Sequence, residues 1–396
     1  EQKNMINTHG YLFEMINGTD PGKLIINKKN DSLQRFYVRS DQSFNKISDG
    51  REVFGWHPYW MGSQWNNYPL DLLSTISYFS YKVDPITGLC QNPNQLNDWE
   101  NSNFVKNAQE SNTKVLLTVS CHGEKNITDF LENETIWDVL INDVTSKVIE
   151  KNGDGIDLNF ENITLSNRNQ FVKFVSNFYD FIYDEFIDKM SRVPYISITL
   201  PAESYKESYD IKRLNEFADL FVIMGYDYHD PNEPSAVSPL DSDDQSPNLN
   251  TTLDYYNKIG IDKNKTILGL PYYGILWNVE RVLGEDDNDE DSIESSIERR
   301  LTYSEINKFF LNDPRNDFEI ELDTLSMTNK YTMLFEDYSI KEIYYDDAFT
   351  LSKKYDLVMS KGFKGIGIWA LGYDTGKSEM WNLIDEYFTS DEKIFY

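Results

Sequence analysis

Apolar residues along this chain follow two rhythms. Runs of six to nine residues rich in β-branched and aromatic side chains are bounded by turn residues, at 52–60, 75–83, 114–120, 154–161, 195–200, 220–226, 266–273 and 365–371. Such runs read as strands. Between them, apolar positions return at three- and four-residue spacing, as in Leu140, Val144 and Val148, or Phe171, Val175, Phe178 and Ile182. That spacing marks one face of a helix. Strands alternating with helices predict a parallel sheet, and eight of them predict a closed α/β (β/α)8 TIM barrel. The barrel strands 1–7 fall in residues 51–274, and residues 346–396 hold strand 8 and a C-terminal helix. The long interval at 275–345 contains further strand-like runs at 331–335 and 342–345, and predicts a small α+β insertion between strands 7 and 8. Residues 1–50 are polar, with turn signals at Asn17-Gly18 and Asp20-Pro21-Gly22, and read as an extension holding at most a hairpin or two.

The fourth run breaks the apolar rule. With period two, Ile156, Leu158 and Phe160 share one face, while Asp157, Asn159 and Glu161 share the other at a repeat of roughly 6.6 Å. Strands of a β/α barrel are covered on both faces. Asp and Asn are poor strand formers, so three inward polar groups need a reason other than propensity. Buried carboxylates are costly unless paired or hydrogen-bonded. Set close together, they can separate into one group that keeps its proton near neutrality and one that stays ionised.

In such barrels chemistry sits at the C-terminal ends of the strands. There the first run delivers Trp56, Tyr59 and Trp60, the sixth Met224, Tyr226 and Asp227, and the eighth Trp369. Carboxylates, a phenol and indoles suit a saccharide, whose C–H faces pack on aromatic rings while its hydroxyls need hydrogen-bond partners. His57, His122 and His229 are scattered along the sequence and no spacing resembles a zinc site, so no metal or cofactor is expected.

At these residues the chain resembles family 18 glycoside hydrolases, the chitinase-like enzymes. Asp154, Asp157 and Glu161 match the first, second and fourth acidic positions of the family's Asp-x-x-Asp-x-Asp-x-Glu signature, and Asn159 stands where the third Asp is usual. Met224-Gly225-Tyr226-Asp227 is similar to the family's Met-x-Tyr-Asp segment. Lys265 with Gly269-Leu270-Pro271-Tyr272-Tyr273-Gly274, and Tyr345-Asp346-Asp347 followed by Gly365-Ile366-Gly367-Ile368-Trp369-Ala370, resemble its later strands. Ser120-Cys121-His122-Gly123 meets the third-strand Ser-x-Gly-Gly pattern only in part.

The resemblance implies retaining, substrate-assisted hydrolysis, an exception to the two-carboxylate scheme. In it Glu161 is the general acid/base and the substrate's own 2-acetamido carbonyl attacks the anomeric carbon. Asp157 would orient the acetamido N–H, Tyr226 would bond its carbonyl with Asp227 nearby, and Trp369 would floor the sugar. Met224, Trp56 and Tyr59 would line the substrate site, and Asp154 is structural. Asn159 keeps the shape of Asp and can donate to Asp157 or Glu161, but brings no charge. Glu161 should then be less raised and the pH optimum shifted towards acid. Slower hydrolysis follows from this, rather than none.

Charge narrows the partners. Lys and Arg number 37 against 66 Asp and Glu, a formal net charge of −29. That disfavours nucleic acid and anionic membranes and fits a neutral, N-acetylglucosamine-containing glycan. No run reaches the length of about 20 apolar residues that spans a membrane. The chain starts at Glu1 without an apolar signal segment. The expectation is that a targeting segment has been removed and that the protein is a secreted or cell-surface monomer. Cys90 and Cys121 leave both a disulfide and two free thiols open. The acidic run 285–291 alternates Asp287, Asp289 and Asp291 but lacks the Gly and terminal Glu of a Ca²⁺ loop, and reads as solvated. The alternatives to chitin-like substrates are an endo-β-N-acetylglucosaminidase on N-glycans or peptidoglycan, and a catalytically weak, lectin-like protein. The segment Trp369 to Asp374 resembles bacterial members of the spore-germination branch.

Overall fold

A computed structural model describes residues 23–27, 46–202, 207–243, 246–282, 292–311, 319–335, 339–375 and 377–389. Strand β1 (Lys23–Asn27) comes first. Seven barrel strands follow: β2 (Glu52–Pro58), β3 (Thr75–Lys82), β4 (Lys114–His122), β5 (Gly155–Glu161), β6 (Tyr195–Leu200), β7 (Leu220–Met224) and β8 (Thr266–Pro271). Strands β9 (Tyr273–Val282), β10 (Ser292–Thr302), β11 (Glu319–Asp323), β12 (Thr328–Leu334) and β13 (Ile340–Tyr345) precede β14 (Gly365–Trp369). The order β14-β2-β3-β4-β5-β6-β7-β8 closes into a parallel barrel. The barrel and the inserted sheet expected from the sequence are both present.

The outward faces of the strands build the main core. Ile156, Leu158 and Phe160 of β5 are buried, and Phe160 packs 5.8 Å from Phe171 and 5.2 Å from Phe174 on the helix Arg168–Met190. The apolar stripe of that helix therefore covers β5 as the periodicity requires. Gly155 lets β6 approach, since a Cβ there would stand 1.8 Å from the Tyr195 carbonyl oxygen. The helix that carries Leu140, Val144 and Val148 spans Trp137–Glu150, after a short turn at Glu134–Ile136, and a further helix, Glu124–Glu132, precedes it.

The inserted sheet has the order β1-β11-β12-β13-β9-β10 and is antiparallel throughout. Its edge strand β1 comes from the polar N-terminal stretch, pairing Lys23 with Asp323 through Asn27 with Glu319. The run 266–273 divides between two structures: Pro271 ends the barrel strand, and Tyr273 begins β9. Tyr273, Ile275, Trp277 and Val279 of β9 form a buried cluster with Ile340 and Val237, against which Tyr226 and Trp369 also pack. The insertion is thus welded to the barrel mouth by apolar contact. Asp287, Asp289 and Asp291 lie outside the described residues. Cys90 and Cys121 are both free thiols, and Cys121 is buried.

Candidate active site

Strand β5 projects Asp157, Asn159 and Glu161 into the barrel, and they stand at three depths. Asp157 is deepest, with no exposed surface. Its Oδ2 accepts from Trp56 Nε1 at 2.9 Å and Thr118 Oγ1 at 3.0 Å; its Oδ1 accepts from Ser197 Oγ at 2.7 Å and Thr199 Oγ1 at 3.2 Å. Burial pushes the Asp157 carboxyl above its ordinary range, and these hydrogen bonds oppose the shift. Four donors from β2, β4 and β6 fill its acceptor sites. Asp157 is therefore the floor of the site, and the expectation that it contacts an acetamido N–H does not survive the geometry.

Asn159 is the next layer. Its side chain hydrogen-bonds Glu161, and its buried Oδ1 has no partner. An unsatisfied buried carbonyl costs about 1–3 kcal/mol. Asn159 lines a cavity of about 480 Å³ together with Glu161, Met224, Tyr226, Asp227 and Trp369 among others. Glu161 ends the strand with 31 % of its side chain exposed. Burial, first, and the charge of Asp227 raise its carboxyl, while His122 and the Asn159 hydrogen bond pull it down. Tyr226 is held far towards its neutral phenol by burial and by the carboxylates around it.

Aromatic rings make one wall. Trp369 lies 6.5 Å from Tyr226 with the planes inclined by 27°, and edge-on to Phe79 at 4.8 Å and Trp56 at 5.6 Å. Trp60, about half exposed, continues this wall 6.5 Å from Trp369. Two expectations need correction here. Trp56 has no exposed surface and serves Asp157 as a donor, so it cannot line a substrate site. Tyr59 packs against the main core, edge-on to Trp60, outside the cavity lining. Asp154 sits at the opposite end of β5, where it joins Arg192, accepts from Gln109 Nε2 at 2.9 Å and holds the Val115 amide at 2.8 Å.

Asp227 follows β7 with φ at +61°, in the left-handed region that few non-glycine residues occupy. Tyr273 Oη donates to its Oδ1 at 2.5 Å and Arg300 Nη2 to its Oδ2 at 3.1 Å. Both donors belong to the insertion, so this sheet helps to shape the cavity.

Sequence reasoning missed Arg300, Phe79 and His122. The last could have been found by extending the third strand: Thr118, Ser120 and His122 keep the inward parity, and β4 runs two residues past Ser120. His122 pairs in register with Glu161, and its Nδ1 stands 3.5 Å from Glu161 Oε1. Among the described residues, no group of three or more His, Cys, Asp or Glu is gathered as a metal site, and no helix is long and apolar enough to cross a membrane.

Comparison with known proteins bears on the family and the fold. The model of the Glycosyl hydrolases family 18 matches residues 52–374. A cortical fragment-lytic enzyme of Bacillus subtilis is 20 % identical over 301 residues, covering 74 % of this chain and 64 % of that protein. The chain spans between about half and about two thirds of the length of the curated relatives it matches. A class V chitinase from Nicotiana tobaccum, crystallised with NAG4, superposes with a TM-score of 0.71 at 14 % identity, covering 84 % of this chain and 98 % of that one. A spore cortex-lytic enzyme of Bacillus megaterium gives 0.64 at 18 % identity, covering 90 % and 77 %. At such identities the likeness is one of fold. The family match, though, runs unbroken from the first barrel strand to beyond the eighth, and on that ground the chain belongs to the glycosyl hydrolases of family 18, as a chitinase-like glycoside hydrolase.

Proposed function

We propose that the protein hydrolyses β-linked N-acetylglucosamine in chitin-like polymers or oligomers, with retention of configuration and with Glu161 as general acid/base. The observation that carries this reading is the stack on β5: a half-buried carboxyl at the cavity rim, an amide with a free acceptor below it, and a fully bonded carboxylate beneath both. Protonated Glu161 gives its proton to the glycosidic oxygen as the C1–O bond breaks, the bonding pair leaving with the oxygen. The acetamido carbonyl oxygen attacks C1 from the opposite face and forms an oxazolinium-like ring. Asn159 Oδ1 is the acceptor for the acetamido N–H, in place of Asp157. Tyr226 donates to the acetamido carbonyl oxygen, and Trp369 packs on the sugar face. Glu161, now a carboxylate, takes a proton from the water that opens the ring, which restores the enzyme and the acetamido group.

The test is turnover of a fluorogenic N-acetylchitooligosaccharide. Glu161→Gln should lose about 10²–10⁴ in rate. Tight binding by the wild-type protein without turnover would instead mark a lectin-like protein. A second reading, cleavage of peptidoglycan by the same chemistry, is supported by the likeness to a cortical fragment-lytic enzyme. Mass spectrometry of products from chitin, an N-glycoprotein and peptidoglycan side by side separates these substrates. We also propose, as fits polymers of this kind, that the enzyme acts outside the cell or at its surface, as a monomer.

A further inference from the structure

We propose that His122 is a positioning residue for Glu161: its imidazole meets the carboxyl at the cavity rim and sets the pH response of Glu161 in hydrolysis. This rests on Glu161 being the acid/base. Parallel pairing of β4 with β5 sets His122 directly opposite Glu161 and Thr118 opposite Asp157, so both pairs point into the barrel. The Thr118–Asp157 hydrogen bond shows that this face of β4 reads β5 directly. Two layers up, Nδ1 of His122 approaches Glu161 Oε1 to 3.5 Å. The His122 backbone carbonyl accepts from Asn126 Nδ2 at 2.9 Å, and its partly exposed ring stands edge-on to Phe79 at 6.4 Å. His122 lines the same cavity as Glu161.

The other charges around the pair do not duplicate this contact. On β5, Asp157 lies below and is saturated by four donors. Beyond β7, Asp227 is bound by Arg300, and His229 stands 4.0 Å from it. The neighbouring phenols, Tyr209 and Tyr226, are held neutral by burial. On the helix that begins just after β4, Lys125 pairs with Asp129, and Glu124 opens the first turn. Among the described residues, His122 is thus the cationisable group that meets Glu161 itself. At that distance His122 draws the Glu161 carboxyl down, against the rise that burial and Asp227 impose.

The experiment follows the ¹³C carboxyl signal of Glu161, assigned with Glu161→Gln, through a pH titration of the wild type, His122→Asn and His122→Gln. Both variants should raise the Glu161 midpoint by about half a pH unit or more. The limb of the kcat/KM profile that reports Glu161 should rise with it, while KM changes less than about twofold. An unchanged or lowered midpoint in both variants overturns the proposal. The carboxyl titration needs no turnover, so it stands apart from the acid/base assignment, which fails if Glu161→Gln retains wild-type activity.

Discussion

Arg300, on a strand of the inserted sheet, donates to the Oδ2 of Asp227, on the loop after a barrel strand, across 3.1 Å. Asp227 occupies a left-handed backbone conformation that costs of order 1–3 kcal/mol and persists only where its surroundings fix it. Arg300 and Tyr273 supply that fixation. Both partners of the ion pair are about half exposed, so its share of global stability is below about 1 kcal/mol. Arg300→Ala should therefore leave the melting temperature nearly unchanged while lowering kcat/KM by about ten- to a hundredfold, because a small displacement of a cavity group is expensive for catalysis. A large fall in melting temperature with intact kinetics would make the contact structural.

Asn159→Asp restores a carboxylate next to Glu161. A like charge at that distance raises the affinity of the pair for one shared proton. The rate should increase several-fold, and the limb of the pH profile that reports Glu161 should move upward. No change in either quantity would remove residue 159 from the account of why Glu161 titrates where it does.

The barrel was legible because its two periods, two and about 3.6, are enforced by burial on both strand faces, and β5 showed its inward carboxyl row by the same rule. The saturation of Asp157 was not legible. Period two sets Asp157 two layers below Glu161, but does not say that donors from three strands close on it. Trp56 misled for a related reason: an indole near a strand end can serve a ligand or a buried carboxylate equally well, and only the fold chooses. Arg300 is separated from Asp227 by 73 positions. It is brought there by the antiparallel pairing of β10 with β9, which no local pattern encodes. His122 lay within reach of sequence reasoning and was lost by ending a strand two residues early.

His57 should make the protein sensitive to acid. It is fully buried, its Nδ1 meets the Tyr68 hydroxyl at 2.9 Å, and burial lowers its pKa from 6.5 to about 4. The unfolded chain takes up a proton near 6.5 and the folded protein only near 4, so stability falls as pH drops through that window. The loss is about 1.4 kcal/mol per pH unit and about 3 kcal/mol in all. Urea unfolding at pH 7, 6 and 5 measures the slope, and His57→Gln should flatten it. An equal slope in the variant would assign the acid sensitivity to other groups.

Asp157 separates the need for charge from the need for shape. Asp157→Ala strips the acceptor from Trp56, Thr118, Ser197 and Thr199 at once. Thr118 has a second partner in Ser77 at 2.6 Å, and the Ser197 and Thr199 hydroxyls can turn, but the Trp56 indole cannot. A buried donor left unsatisfied costs about 1–3 kcal/mol, and the lost packing adds to it, so a destabilisation of roughly 3–5 kcal/mol is expected in chemical unfolding. Asp157→Asn keeps one oxygen for Trp56 and Thr118, while the hydroxyls of Ser197 and Thr199 can accept from the new amide. It should unfold within about 1 kcal/mol of the wild type. Its turnover then reads the charge alone: a fall of about tenfold or more would mean that a carboxylate beneath Asn159 helps to balance the cationic intermediate, and wild-type turnover would reduce Asp157 to a scaffold for its four donors.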